Sequence, residues 1–467
     1  MQAGLAALLH DAAVLHRFAD FLEEYCKEQE RSQRYIDASG DFFRYAENLA
    51  RGIKVKLRSY VERASRFPPE IAAARVATLR REMLTFKDYL RLLHTLIKPA
   101  ADAHTLSIPA PLINLASDQL HQIEGMEDSR IVVLLTPQLM YFQRPHTYVK
   151  EDAGRVEKFI SQAKFPTKLG FIELPYSQGT SFFTNLAIYH EIGHFMYEEL
   201  STLRRKNPHI AALESVKDKS LAKFPLQKDP QVRKLAEKIV ESWTQEIFCD
   251  LFALRLVGPA FSFALVEILS MLGSLSRQAT VTFDEEHPAP ACRFAEHVKL
   301  LRKDSWWDAI AHCEPEQKKL LEKLAKIPST DYRVYSDDSG PKRLMGAFVH
   351  SIVPAIEKLV RQVTPRAAPA AKRFVDTRKT IEDCLSVGVV PHNTSTPPDP
   401  VSIINSAFCF YLTALPDIVT KFEGVAAEND VEIRSRWTKK LEDWTMKAIE
   451  DSQVRSQFER TQRDGPF

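Results

Sequence analysis

The stretch AIYHEIGHFMYEEL, Ala187–Leu200, sets His190 and His194 four residues apart, with Glu191 directly after the first histidine, inside an otherwise mostly apolar run. On a helix, residues four apart lie one turn above each other, so the two imidazoles point the same way and Glu191 sits on the shoulder of that face. Ala187, Ile188, Ile192, Gly193, Phe195 and Met196 frame the three polar side chains without a charge among them. Such a frame suits a buried helix whose single polar face opens on a cavity. Two aligned imidazoles can hold one metal ion, and the carboxylate beside them can handle the proton of a water. Without a metal, Glu191 would be a buried charge in need of a partner.

Two histidines are one ligand short of the usual open metal site, which has three protein ligands and a free position. The downstream run VESWTQEIFCDLFALRLVG offers Glu246 and Asp250, four residues apart on a helix whose other positions include Trp243, Ile247, Leu251 and Leu254. Glu246 can be the third ligand, while Asp250, one turn on, can accept the N–H of a ligand imidazole and fix its tautomer. Glu241 is the competing carboxylate, without an aspartate one turn later.

The pattern HExxH followed by ExxxD resembles the gluzincins, a class of zinc metallopeptidases. The resemblance spans roughly residues 165–300 and implies one zinc ion per chain held by His190, His194 and Glu246. Glu191 would then be the general base and Asp250 the support of an imidazole ligand. FDEEHPAPACRFAEHV adds His287-Pro288 and Arg293, similar to the HPxxxxR element of HtpX-type and CAAX prenyl-protease-type gluzincins. By that likeness His287 donates to a developing oxyanion, and Arg293 binds substrate or a supporting carboxylate. In the resembled fold an extended substrate adds to the strand just before the zinc helix, so KLGFIELPY, with Ile172 and Glu173, is expected to serve as an edge strand. Those two families span membranes several times, whereas the most apolar run here, FALRLVGPAFSFALVEILSMLGSL, is interrupted by Arg255, Gly258, Pro259 and Glu267. A core helix broken near Gly258-Pro259 is expected instead of a span. The aminopeptidase signature GxMEN is also absent.

Around this region the chain reads as helical. Leu79, Met83, Phe86, Leu90, Leu93 and Ile97 form a seam of alternating four- and three-residue steps, which must pack on other helices. RGIKVKLRSYVERASR places Ile53, Leu57, Tyr60, Val61 and Ala64 on one face and six basic residues around the rest, a solvated face or a dock for an acidic partner. SRIVVLLTP and KLGFIELPY read as strands, and Ser181 or Thr184 as an N-cap for the histidine helix. The fold class expected is α+β, predominantly α-helical: a zincin-like core of small mixed sheet and active-site helices at 111–300, between helical regions at 1–110 and 301–467.

Lys and Arg total 63 against 61 Asp and Glu, a net charge of +2 that gives no field for gathering nucleic acid. The N-terminal MQAGLAALLHDAAVLHRFADFLEEY follows helical spacing and lacks the pattern of a secretory leader, and the six cysteines form no CxxC pair, so a cytoplasmic location with reduced thiols is expected. Cys249 and Cys292 are read as small buried fillers unless the fold brings a thiolate to the metal. The expected activity is zinc-dependent hydrolysis of peptide bonds, by an endopeptidase acting on a protein or peptide substrate and open to control by a regulatory protein partner. The rival is a helical interaction protein around an inert zincin core.

Overall fold

The computed structural model describes residues 2–32, 37–67, 69–105, 108–137, 142–144, 146–160, 164–166, 168–175, 181–202, 208–222, 230–272, 286–313, 315–331, 348–364, 371–390, 398–423 and 431–464. Helices dominate and one three-stranded sheet accompanies them, an α+β architecture. By packing the chain sorts into two compact units, Met1–Ala110 with Asp128–Thr180, and Pro111–Glu127 with Ser181–Phe467. These limits differ from the three segments read from the sequence. The sheet shares a core with the N-terminal helices, while the histidine helix shares one with the C-terminal helices.

In the first unit the apolar seams form three long helices, α1 (Gln2–Ser32), α2 (Asp37–Ala64) and α3 (Pro69–Thr105). Leu79, Met83, Phe86, Leu90, Leu93 and Ile97 of α3 are all buried, as are Ile53, Leu57, Tyr60 and Ala64 of α2. They enter one core with Val132, Leu134, Leu169 and Phe171 of the sheet. Part of the basic character of α2 serves this packing. Lys54 and Lys27 each place Nζ 2.8 Å from the buried Glu23 of α1. Burial alone would raise that carboxyl, but the two ammonium groups hold it at about 2.

The sheet has the order β1-β3-β2, from strands β1 (Arg130–Thr136), β2 (Phe142–Arg144) and β3 (Leu169–Pro175). β3 runs parallel to β1 from Arg130↔Leu169 to Thr136↔Pro175 and antiparallel to β2 from Phe142↔Glu173 to Arg144↔Phe171. Ile172 and Glu173 therefore lie on a central strand flanked on both sides, which overturns the expectation that KLGFIELPY offers a free edge to a substrate. The return from β1 to a parallel neighbour needs a crossover, here containing the helix α5 (His146–Glu157), and the three-residue β2 closes the remaining side.

The second unit contains α4 (Ala110–His121), α6 (Ile188–Thr202), α7 (Pro208–Ala222), α8 (Pro230–Val257), α9 (Pro259–Met271) and α10 (Pro290–Lys303), followed by further helices up to Val431–Asp464. The expected break between α8 and α9 falls at Gly258, whose φ of 74° needs a residue without Cβ, and Pro259 opens α9. A buried helix end leaves carbonyls without partners, and side chains from elsewhere supply them. Gln119 donates Nε2 to the Leu256 carbonyl at 2.8 Å. Asn405 donates Nδ2 to the Val257 carbonyl at 2.8 Å and accepts the Ala260 N–H on Oδ1 at 2.8 Å. Among the described residues no helix is long and apolar enough to cross a membrane.

The entry to α6 is also tied down from a distance. A 3-10 turn, Thr184–Ala187, leads straight into the helix, with Phe183 at its N-cap position and no side-chain cap of its own. The capping acceptor is instead Glu442 of the Val431–Asp464 helix, which receives the Phe182 N–H and the Ser181 hydroxyl at 2.9 Å each. Ser181 thus contributes as a donor, and neither it nor Thr184 caps the helix as the sequence suggested. Phe183 stacks on Tyr411 with ring centroids 4.5 Å apart.

Beside this contact burial raises the carboxyl of Glu267 from its ordinary 4.5 to about 7, against the stabilising hydrogen bond from the Tyr411 hydroxyl. An acid raised in the folded state keeps a proton that the unfolded chain has already lost, so its contribution weakens the fold as pH climbs from 4.5 to about 7 and then levels off. Glu267→Gln is expected to remove this dependence. Denaturant midpoints measured at about pH 5 and about pH 8 should show the variant gaining on the wild type as pH rises; a difference that does not change with pH would contradict the assignment.

Candidate metal centre

Four helices of the second unit build the site. α6 packs on α8 at Gly193, where an added Cβ would come within 2.7 Å of the Cys249 Cα and 3.2 Å of its Sγ. Only a residue without a side chain allows the two helix backbones so close, and that approach brings Glu246 and Asp250 level with the two histidines.

His190 Nε2 lies 3.1 Å from His194 Nε2. The Glu246 carboxylate faces both rings, with Oε2 3.4 Å from His190 Nε2 and Oε1 3.3 Å from His194 Nε2. A tetrahedral ion with bonds of about 2.0–2.1 Å sets its ligand atoms about 3.3 Å apart. The two ring nitrogens lie near that spacing, and the carboxylate meets each ring with a different oxygen at a similar distance, so the three side chains are close enough to share one metal ion. Glu191 is buried on the same helix, and its carboxylate is one of the charges that act on the Cys249 thiol, within electrostatic reach of the cluster.

Behind the imidazoles stands Asp250, fully buried. It accepts a hydrogen bond from His190 Nδ1 at 2.9 Å, which leaves Nε2 pointing at Glu246 and His194. Arg293 of α10 grips the same carboxylate with Nε and Nη2, both at 2.6 Å, and its Nη2 lies 3.7 Å from Glu246. Burial opposes ionisation of Asp250, yet the Arg293 guanidinium and the histidines hold its carboxyl well below the usual range. Glu246 is likewise held ionised against burial, by His190 and His194. Burial should favour a neutral His190, but the carboxylates of Glu246 and Asp250 outweigh it and lift the imidazole to about 10.

Of the residues singled out in the sequence, His190, His194, Glu246, Asp250 and Arg293 come together, with Glu191 beside them. Arg293 meets a supporting carboxylate, and its buried guanidinium faces Asp250 and not a substrate space. Glu241 is engaged elsewhere, accepting from the Tyr197 hydroxyl at 3.2 Å and from Lys217. His287 lies half-buried in the segment that enters α10, six residues before Arg293.

His297 is a member the sequence reading missed. One turn beyond Arg293 on α10, it places Nε2 3.4 Å from Asp250 Oδ2 and Nδ1 3.0 Å from the Ser262 hydroxyl of α9. Phe261 packs near the rings of both His190 and His297, at centroid distances of 6.3 and 5.6 Å. The available signal was the four-residue spacing in RFAEH, which puts Arg293 and His297 on one face. Cys249 is a second. Its thiol belongs with the two imidazoles to a group whose ligating atoms lie within 4.8 Å of one another. Glu246, outside that group, is the alternative third donor, with oxygens 3.4 and 3.3 Å from the two imidazoles and a carboxyl held ionised, while burial and the surrounding carboxylates push the free Cys249 thiol well above its usual range.

Comparison with protein-family models, curated proteins and solved structures finds no match to this chain.

Asp250→Asn keeps the shape of the side chain but removes the charge that orients His190 and neutralises Arg293. Metal affinity, measured by competition with a chromophoric chelator, should weaken about 10–100-fold. The metal-free variant should also lose about 3–5 kcal/mol of stability, because Arg293 is left buried without its ionised partner. Unchanged affinity would show that the carboxylate does not support the metal ligand.

Proposed function

We propose that the chain is a zinc-dependent metallopeptidase of the gluzincin type, a hydrolase that cleaves peptide bonds as an endopeptidase on a protein or peptide substrate. The observation that carries this reading is the convergence of His190, His194 and Glu246, close enough to share one metal ion, with Asp250 fixing the tautomer of His190 and Glu191 beside the ligands. Two imidazoles and one carboxylate suit zinc, and a structural metal alone would have no use for Glu191.

His190, His194 and Glu246 would hold the ion. When bound, zinc would supply Lewis-acid polarisation of the scissile carbonyl and activation of water at neutral pH. Glu191 takes the proton of the attacking water and passes it to the leaving amine. Asp250 keeps Nδ1 of His190 protonated, so that Nε2 presents its lone pair, while Arg293 keeps Asp250 in place. Arg293 acts through Asp250 and is a positioning residue. His287 is the candidate donor to the developing oxyanion, held near α10 by the rigid Pro288-Ala289-Pro290 segment. In this reading the helices outside the centre provide recognition or control, including docking of a regulatory protein.

Glu191→Gln separates this reading from the rival of an inert core. The variant is expected to retain its metal while turnover of an unfolded protein substrate drops by about 10²–10⁴-fold. Cleavage at the wild-type rate by the purified variant would remove the proposed general base and with it the mechanism.

A further inference from the structure

Cys249 belongs to the cluster without having a part in the mechanism above. It sits on α8 three residues after Glu246, a spacing at which two helical side chains can chelate one ion. Its side chain is fully buried, it forms no disulfide, and its sulfur faces the gap that Gly193 leaves in α6. The sulfur and one ring nitrogen from each of His190 and His194 lie within 4.8 Å of one another. A tetrahedral nitrogen–metal–sulfur pair needs a separation of about 3.5 Å. The 4.8 Å limit on the group exceeds that separation by about an ångström.

We propose that Cys249 is a fourth protein ligand, so that the metal centre is closed in its resting state by His190, His194, Glu246 and Cys249. The proposal rests on the metal-centre reading given above and deepens it. A centre with four protein ligands has no free position, and catalysis requires one of them to leave. Cys249 is the ligand whose departure restores the two-histidine, one-carboxylate set. When it binds, the S–H bond breaks, its proton passes to solvent and a sulfur lone pair forms the bond to the metal. When it leaves, the metal–sulfur bond breaks and the thiolate regains a proton from solvent. The redox state of the sulfur does not change in either direction. Cys292, buried on α10 next to Arg293, falls outside the group of ligating atoms that contains Cys249.

Cobalt(II) substitution of the full-length protein tests this without any substrate, because thiolate ligation gives cobalt an intense near-ultraviolet sulfur-to-metal charge-transfer band. The wild type should bind cobalt and show the band. Cys249→Ala and Cys249→Ser should each keep bound cobalt, seen in its visible ligand-field bands, and lose the charge-transfer band. Cobalt bound by the wild type without that band would overturn the proposal and leave the three-ligand centre standing, and so would a band that persists in the variants. Failure of the wild type to bind cobalt at all would overturn both.

Discussion

The bidentate contact between Asp250 and Arg293 is the interaction on which the candidate site depends. Both partners are buried, so neither charge is tolerable without the other, and together they bind α8 to α10. The carboxylate also takes the Nδ1 hydrogen bond of His190, which turns the opposite edge of that ring toward His194 and Glu246. Of the charges resolved in this cluster, two carboxylates, Asp250 and Glu246, face two cations, Arg293 and a protonated His190.

The packing around the pair explains how the histidine helix can be buried so deeply. Gly193 removes the steric barrier between α6 and α8, and the unsatisfied backbone at the α8–α9 break is completed by Gln119 and Asn405. The start of the histidine segment is held by Glu442 of the last helix. The C-terminal region is thus part of the unit that carries the centre and not an appendage to it. Displacement of the Val431–Asp464 helix would release the donors at Ser181 and Phe182 that precede the two histidines.

Much of this was legible in the sequence. The 3.6-residue periodicity located the long helices, and the four-residue spacings in HEIGH and in the Glu246–Asp250 pair placed donors on single faces. Gly258-Pro259 marked the break. Contacts between distant segments were not legible. Gln119, Asn405 and Glu442 act only through the fold, and nothing in their immediate neighbourhood signals the partner, whereas His297 had only its spacing from Arg293 to mark it. The position of β3 was misjudged for a related reason, since the short FQR strand that pairs with it carries no periodic pattern and turns an apparent edge into the centre of the sheet. Arg293 could be picked out by motif, but whether it met a substrate or a carboxylate was decided by burial.

The central claim is that His190, His194 and Glu246 together hold one metal ion, and the most direct measurement is the metal content of purified wild-type and Glu246→Ala proteins by elemental analysis after zinc loading and dialysis. The account predicts about one zinc per chain in the wild type, as a three-ligand site requires, and clear depletion in the variant. A wild type that retains no stoichiometric metal, or a Glu246→Ala protein that retains as much as the wild type, would contradict it.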